Sequence, residues 1–375
     1  MSQGGADFYP VVIAGASFAG LAVASQLKGG FVIVDQKDIG TGQTSACGIP
    51  VETAEAVGAQ DALLQTHSNL VVYTGPKVFP LPLHRPFATF DYGRFCRTLA
   101  AGLEERGGRF IKARVLGMTG DGAVQTSAGL LKGRFVVDAT GSRAKLAESM
   151  RPGFARSAPL GFGMEDVVAG RADDLHFYIA SQVIPKGIGW VFPADGELRI
   201  GVGSYHGLTR LSGRVGSLKR QWFQPTAAGA TQGVDMPPVS SSHGGYIPAG
   251  LRKPLVGDVI VVGDAAGHCL PLSGEGIRTA LYFGIYAGFM IQQASEGRLA
   301  DDEARAKYQA MVLSHKQDFF VLRLFQEAVS AFQDLGNHAV FSFMIRYRGG
   351  WLMKAFFDRY LDAFDVDALK KQLRR

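Results

Sequence analysis

YPVVIAGASFAG, Tyr9 to Gly20, decides how the chain begins to fold. Tyr9 to Ala14 is a short apolar run without alternation, the pattern of a parallel strand buried on both faces. It passes directly into Gly15-Ala-Ser-Phe-Ala-Gly20 and then into a helical pattern reaching Leu27. This is a G-x-S-x-x-G variant of the dinucleotide fingerprint. Gly15 permits the tight turn, Ser17 stands where a second glycine would admit a pyrophosphate, and Gly20, beside the small Ala19, lets helix pack on strand with its N-terminus toward phosphate. A second apolar strand, Phe31 to Val34, ends at Asp35 and Gln36, with Asp35 standing 20 residues beyond Gly15. An acid there accepts hydrogen bonds from a ribose and repels a 2′-phosphate, which favours FAD or NAD over NADP.

The rest of the chain sets the frame for that motif. At 375 residues it is long enough for two packed units and an appendage. Hydrophobic residues make up 47% and charged residues 19%, which excludes disorder, and 49 glycines call for many tight turns. The net charge of +6 is not gathered into basic runs and suits an anionic cofactor or a membrane surface better than nucleic acid, for which no partner role is expected. Cys47, Cys96 and Cys269 are far apart with no CxxC, so no metal site and no dithiol motif is expected, and the compartment reads as a reducing cytoplasm. Val11 to Leu27 has the apolarity of a signal segment, but no Lys or Arg precedes it and its glycines fall at fingerprint spacing.

Two further apolar strands end in small-residue turns: Arg134-Phe-Val-Val-Asp-Ala-Thr140-Gly141, and Asp258-Val-Ile-Val-Val-Gly263-Asp264-Ala-Ala-Gly267. The latter leads through Pro271-Leu-Ser-Gly274-Glu-Gly276-Ile277 into an apolar helical run to Ile291. Together these segments resemble the FAD-dependent oxidoreductases of the glutathione-reductase-2 type, which share the p-hydroxybenzoate hydroxylase fold. The resemblance implies that Asp264 holds the ribityl chain, that the turn through Gly274 and Gly276 starts a helix aimed at the flavin pyrimidine ring, and that the Val115 backbone reads adenine at the end of a strand from Phe110. Free N–H groups and a helix dipole at that turn would stabilise the negative charge on reduced flavin. Phe90 to Leu99 resembles the family's D-R-x-x-F-D-x-x-L helix start, with Tyr92 in place of Arg and Cys96 in place of the second Asp.

A narrower resemblance lies in PKGIGWVFPADGELRIGVG, Pro185 to Gly203. It is similar to the P-x-x-Y-x-W-x-F-P-x7/8-G-x-G pattern of geranylgeranyl reductases, with Ile188 at the tyrosine position. The segment reads as a β-hairpin turning at Ala194 to Glu197, with Ile188, Trp190 and Phe192 on one face. That face would roof an apolar chamber beside the flavin; filling of an inter-domain core is the plainer use of such a face. The resemblance implies saturation of carbon–carbon double bonds in an isoprenoid or similar apolar substrate by hydride transfer from flavin N5, with Trp190 and Phe192 at the reacting centre. Ser45 to Pro50 resembles the family's Cys-Gly loop, which would put Cys47 near the ring. Tyr246, His243, Cys47 and His268 stand as unranked proton donors beside water, and Tyr246 is also expected in the pocket. NAD(P)H, a ferredoxin-type protein and a reduced quinone are the open choices for reductant. The alternative activity is an FAD-dependent monooxygenase or halogenase on an apolar or aromatic substrate, although the monooxygenase DG motif is replaced by Asp138-Ala-Thr-Gly141 and of the halogenase W-x-W-x-I-P only Trp190 remains.

The expected fold is α/β: a Rossmann-like FAD-binding domain from 1–67, 89–151 and 255–298, interleaved with a β-sheet substrate domain from 68–88 and 152–254, plus C-terminal helices over 299–375. Strands over 162–168, 175–183 and 198–203 are expected to share one sheet. Phe319, Leu322, Phe325, Val329 and Phe332 mark one helical stripe, and Trp351, Phe356, Phe357, Tyr360 and Phe364 enrich another stretch, interleaved with Arg346, Arg348, Lys354 and Arg359. A peripheral membrane contact and a helical cap on the pocket are both open readings of that tail.

Overall fold

The computed structural model describes residues 6–75, 77–205, 207, 211–224, 236–332, 360 and 362–375. The opening run becomes β1 (Asp7–Ala14), paired in parallel with β2 (Phe31–Asp35) on one side and β9 (Gly129–Asp138) on the other. An interior position in a covered sheet is why its sequence is apolar without alternation. β6 (Gly108–Lys112) and β16 (Val259–Val261) extend the parallel set, and β15 (Leu255–Val256) closes one edge antiparallel, giving the order β15-β16-β9-β1-β2-β6. β7 (Val115–Met118) and β8 (Val124–Thr126) form an antiparallel extension of β9. Val115 therefore opens a strand instead of ending one. β6 stops at Lys112, Ala113 N donates a last bond to Asp35 O of the neighbouring strand, and the chain turns.

Helix α1 (Phe18–Ser25) is buried almost all round, between this sheet and α6 (Ile277–Ser295). α2 (Val51–Ala56) follows the strand β3 (Gly48–Pro50), α3 (Tyr92–Ala100) packs on α1, and α4 (Lys145–Met150) packs against β7. Asp138, at the end of β9, fixes the start of α4 by accepting from the N–H groups of Leu146 and Ala147, both at 2.9 Å.

The second sheet runs β14-β10-β13-β12-β11-β4-β5-β3. Its other members are β4 (Leu63–Thr74), β5 (Lys77–Phe90), β10 (Leu160–Ala169), β11 (Leu175–Tyr178), β12 (Gly187–Pro193), β13 (Glu197–Ser204) and β14 (Val239–Pro248). It takes in residues well ahead of 68, since β3 and all of β4 belong to it, and β11 stops at Tyr178, short of 183. One face packs Val191, Ile200 and Val202 against Val215 and Leu218 of α5 (Leu211–Phe223). The opposite face looks toward the first sheet. β5 meets β3 only over Phe87 to Thr89, so Pro80 and Pro82 sit where a missing N–H is tolerated and further strand addition is blocked.

Beyond 298 the chain forms α7 (Asp301–Ser314), α8 (Lys316–Phe332) and α9 (Val366–Leu373). Phe319, Leu322 and Val329 are buried and Phe325 is half-buried, as the stripe requires. Phe364 is buried in an aromatic cluster with Phe283, His315 and Phe319. The side chain of Phe332, together with Trp351, Phe356, Phe357, Arg346, Arg348, Lys354 and Arg359, lies outside the described residues. Among the described residues no helix is long and apolar enough to cross a membrane.

Candidate cofactor and substrate site

The fingerprint loop is shaped by two close approaches. Gly15 adopts φ +110°, and a Cβ there would stand 2.1 Å from Ala139 O, so only glycine fits. A Cβ on Gly20 would strike Gly15 O, which holds helix and loop in contact. Ser17 occupies the N-cap of α1 without capping it; its Oγ lies 3.3 Å from Tyr92 OH instead. α6 likewise begins after Gly276 with no side-chain cap. Two helix N-termini with unsatisfied first-turn N–H groups thus open on one cavity of about 1110 Å³, whose wall includes Gly15, Ser17, Ala19, Gly276 and Ile277. Asp35 accepts from Ala16 N at 2.8 Å and Lys37 N at 2.9 Å, which leaves half of its carboxylate lone pairs available to a ligand. Gln36, Val115, Thr140 and Gly141 line the same end, beside the cations of Lys37, Arg114, Arg143 and Lys145.

Gly263, Asp264 and Gly274 continue the wall. The Asp264 carboxyl is deep in the fold but touches the cavity, so it is only partly withdrawn from water. Desolvation pushes it up to about 6, against the pull of Arg252. The Arg252 guanidinium, buried, donates to Ser142 O at 2.9 Å, Ala155 O at 2.7 Å and Asp264 O at 3.2 Å, tying the turn after β9 to the turn that carries Asp264. Sequence reading missed this clamp, because an arginine satisfied by backbone carbonyls leaves no motif. His268 is fully buried off the wall, its Nδ1 accepting from Gly263 N at 3.1 Å, and burial holds it down to about 3.

Past Ile277 the same cavity opens onto the second sheet, and here a single cross-strand row governs the wall. Register places His243 opposite Glu165, Glu165 opposite Gly201, Gly201 opposite Trp190, Trp190 opposite Phe177, and Phe177 opposite Val72. Paired residues share a face, so one row crosses β14 to β4 on the cavity side. The hairpin turn at 194–196 is what sets Gly201 against Trp190. A Cβ on Gly201 would lie 2.2 Å from Trp190 Cζ2, and one on Gly203 would lie 3.3 Å from Cζ3. The G-x-G of the hairpin is therefore a trough in which the indole lies flat. Lying there, Trp190 reaches across β13 and donates from Nε1 to Glu165 Oε2 at 2.5 Å. Ile188, Trp190, Phe192 and Tyr246 all line the cavity, and the wall continues into Leu70, Val72 and Leu81 of the β4–β5 hairpin. Phe192 meets Phe177 edge-on, with centroids 5.2 Å apart, and Tyr246 meets Phe162 at 5.0 Å.

Cys47 is not brought to this wall. Its neighbours Ala46 and Gly48 line the cavity, while Cys47, in a left-handed conformation at φ +56°, turns its side chain into the core that holds Phe90, Phe95 and Cys96. The thiol donates to Ser45 O at 3.3 Å, and burial pushes its pKa upward, away from a reactive thiolate. Arg94 is exposed and donates to Asp61 O, away from the cavity. Among the described residues no cluster of three metal-ligating side chains occurs.

These features fit FAD. A cradle closed to any Cβ, two uncapped helix N-termini and a basic end suit a pyrophosphate nucleotide, and the cavity runs on without a break to an apolar chamber. No family profile matches the chain. Digeranylgeranylglycerophospholipid reductase 2 of Methanopyrus kandleri is 26% identical over 331 residues, covering 80% of both chains. Digeranylgeranylglycerophospholipid reductase of Methanococcus vannielii is 29% identical over 136 residues, 36% of this chain, so that this chain matches only 33% of that protein's length. Among solved structures, a geranylgeranyl bacteriochlorophyll reductase-like protein of Thermoplasma acidophilum superposes with a TM-score of 0.75 at 17% identity, over 98% of this chain and 100% of its own. The probable FAD-dependent monooxygenase pqsL of Pseudomonas aeruginosa gives 0.67 at 17% identity, over 86% and 97%. At such identities the structural likenesses speak for the fold.

Proposed function

We propose that this chain, a member of the geranylgeranyl reductase family of FAD-dependent oxidoreductases, saturates carbon–carbon double bonds of an isoprenoid or comparably apolar substrate by hydride transfer. The observation that carries the reading is the continuity of one cavity from the fingerprint loop to a chamber walled by Ile188, Trp190, Phe192, Phe177 and Leu70. Reduced FAD supplies the hydride when bound. The protein's own task is then orientation and exclusion of water, because an isolated alkene offers no electron sink and gains most from alignment in a dry, shaped site. Asp35 and the α1 N-terminus would hold the nucleotide end, the α6 N-terminus would offer its free N–H groups to the flavin, and the aromatic row would position the prenyl chain.

Anaerobic chemical reduction of the bound flavin, followed by incubation with prenylated lipids of graded length, tests this without assuming the natural electron donor. Products gaining two hydrogens per double bond are expected by mass spectrometry. Products gaining oxygen after admission of air, with no hydrogenated species beforehand, would place the chain with the monooxygenases instead.

A further inference from the structure

The carboxylate of Glu165 is the most demanding group in the cavity wall. Its side chain is 2% exposed. Oε2 is taken up by the Trp190 indole N–H, whereas Oε1 accepts no hydrogen bond of good geometry although His243 Nε2 stands 3.0 Å away. A buried carboxylate oxygen without a partner is costly unless a proton or a cation is shared with it. His243 is the neighbour that can supply one. It lies opposite Glu165 across the β10–β14 ladder, its side chain is 14% exposed, and it lines the cavity. The Gln43 side-chain amide also comes within 3.4 Å of that same ring nitrogen. β14 itself is wedged between two loops that line the cofactor half of the cavity: a Cβ on Gly245 would touch Thr44 at 3.2 Å, and a Cβ on Gly274 would touch Ile247 at 3.7 Å. The pair therefore stands where the apolar chamber meets the cofactor half.

Resting on the reductase reading above, we propose that His243 is the proton donor of the alkene reduction, with Glu165 and, behind it, Trp190 as its positioning residues. One alkene carbon accepts the hydride; the π pair shifts to the neighbouring carbon and takes the proton from Nδ1 of the His243 imidazolium, whose N–H bond breaks to leave neutral imidazole with its Nε2 proton kept beside Glu165. The alkene gains the two electrons that reduced flavin loses, and solvent returns the proton to the imidazole. Other candidates fit the role less well. His268 and Cys47 are off the wall, and Tyr246, which lines it, packs on Phe162 with no carboxylate among the described residues set against it as Glu165 is against His243. The arrangement also gives the W-x-F-P/G-x-G pattern a chemical use: the glycine trough lets the indole reach the carboxylate that seats the acid.

The test uses the flavin-loaded, full-length chain. H243A is expected to lower single-turnover alkene reduction about 100-fold or more, in the usual range for a general acid, and added imidazole is expected to restore at least about tenfold of it. E165Q and W190F are expected to give smaller losses, and each is expected to move the His243 ring ¹⁵N resonances of the resting enzyme, a readout independent of turnover. The flavin absorbance spectrum reports that each variant still folds around its cofactor. Undiminished turnover in H243A, loss of turnover that imidazole does not rescue, or a His243 resonance indifferent to E165Q would each overturn the assignment while leaving the reductase reading intact. A wild-type chain that hydrogenates no prenyl substrate would instead remove that reading, and the donor role with it.

Discussion

Trp190 shows how much of this site depends on atoms that are missing. Its indole occupies the space that side chains at Gly201 and Gly203 would fill, so Gly201→Ala sets a methyl group against the ring with only backbone and β-sheet neighbours to yield. Such overpacking costs about 1–3 kcal/mol. The loss is expected to shrink in a Trp190→Leu background, and a double-mutant cycle by denaturant unfolding should return a coupling above about 1 kcal/mol. Asp264 supplies a second expectation. Its folded pKa of about 6 lies above the ordinary carboxylate value of 3.8 because the ionised form is desolvated. Stability from this group is therefore fully present below about pH 4 and is lost as pH rises through about 6. Thermal melts of flavin-stripped protein across that window should show the decline, and Asp264→Asn should flatten it while weakening FAD binding. A persistent decline in the Asn variant would assign the effect elsewhere.

At the scale of elements, the crossing of α1 and α6 aims both helix N-termini into the cavity. The approach is close because Gly284 and Gly288 of α6 lie on Ala19, Ala22 and Val23 of α1; a Cβ at 288 would stand 2.3 Å from Val23 O. Helix propensity alone would make Gly288→Ala favourable by about 1 kcal/mol. Backbone contact overrides it, and a net destabilisation of about 1–3 kcal/mol is expected instead. The same change spreads the helices, so FAD affinity measured by fluorescence quenching should fall together with Tm. Neutral stability with unchanged affinity would show that the helix pair can slide without disturbing the cradle. The C-terminal elements dock by charge as well as by packing: Arg85 of β5 pairs with Glu52, with Asp362 at 3.0 Å and with Asp365 at 3.5 Å, and Asp365 caps α9 by accepting from Ala368 N at 2.9 Å.

For the whole molecule, the interleaved chain places a nucleotide cradle and an apolar sheet face on opposite sides of one cavity. From β14 to β5 the second sheet spans six strand spacings, about 29 Å, enough length along the row to align an extended chain. Leu81→Trp, at the β5 end, is expected to shift preference toward shorter prenyl substrates by about tenfold in kcat/KM without altering the flavin spectrum; an unchanged length profile would mean the chain lies elsewhere in the cavity. Local pattern was enough to read the parallel strand of β1, the fingerprint turn, the acid closing β2 and the 190–203 hairpin, because each is specified by residues adjacent in sequence whose period or turn chemistry has one structural solution. The inward turn of Cys47, the clamp of Arg252 and the row joining His243, Glu165 and Trp190 were set by tertiary structure. Their partners are separated by tens to more than a hundred residues, and only strand register and chain crossing decide which side chains meet, which backbone carbonyls are left to satisfy, and which face of a loop looks into the core.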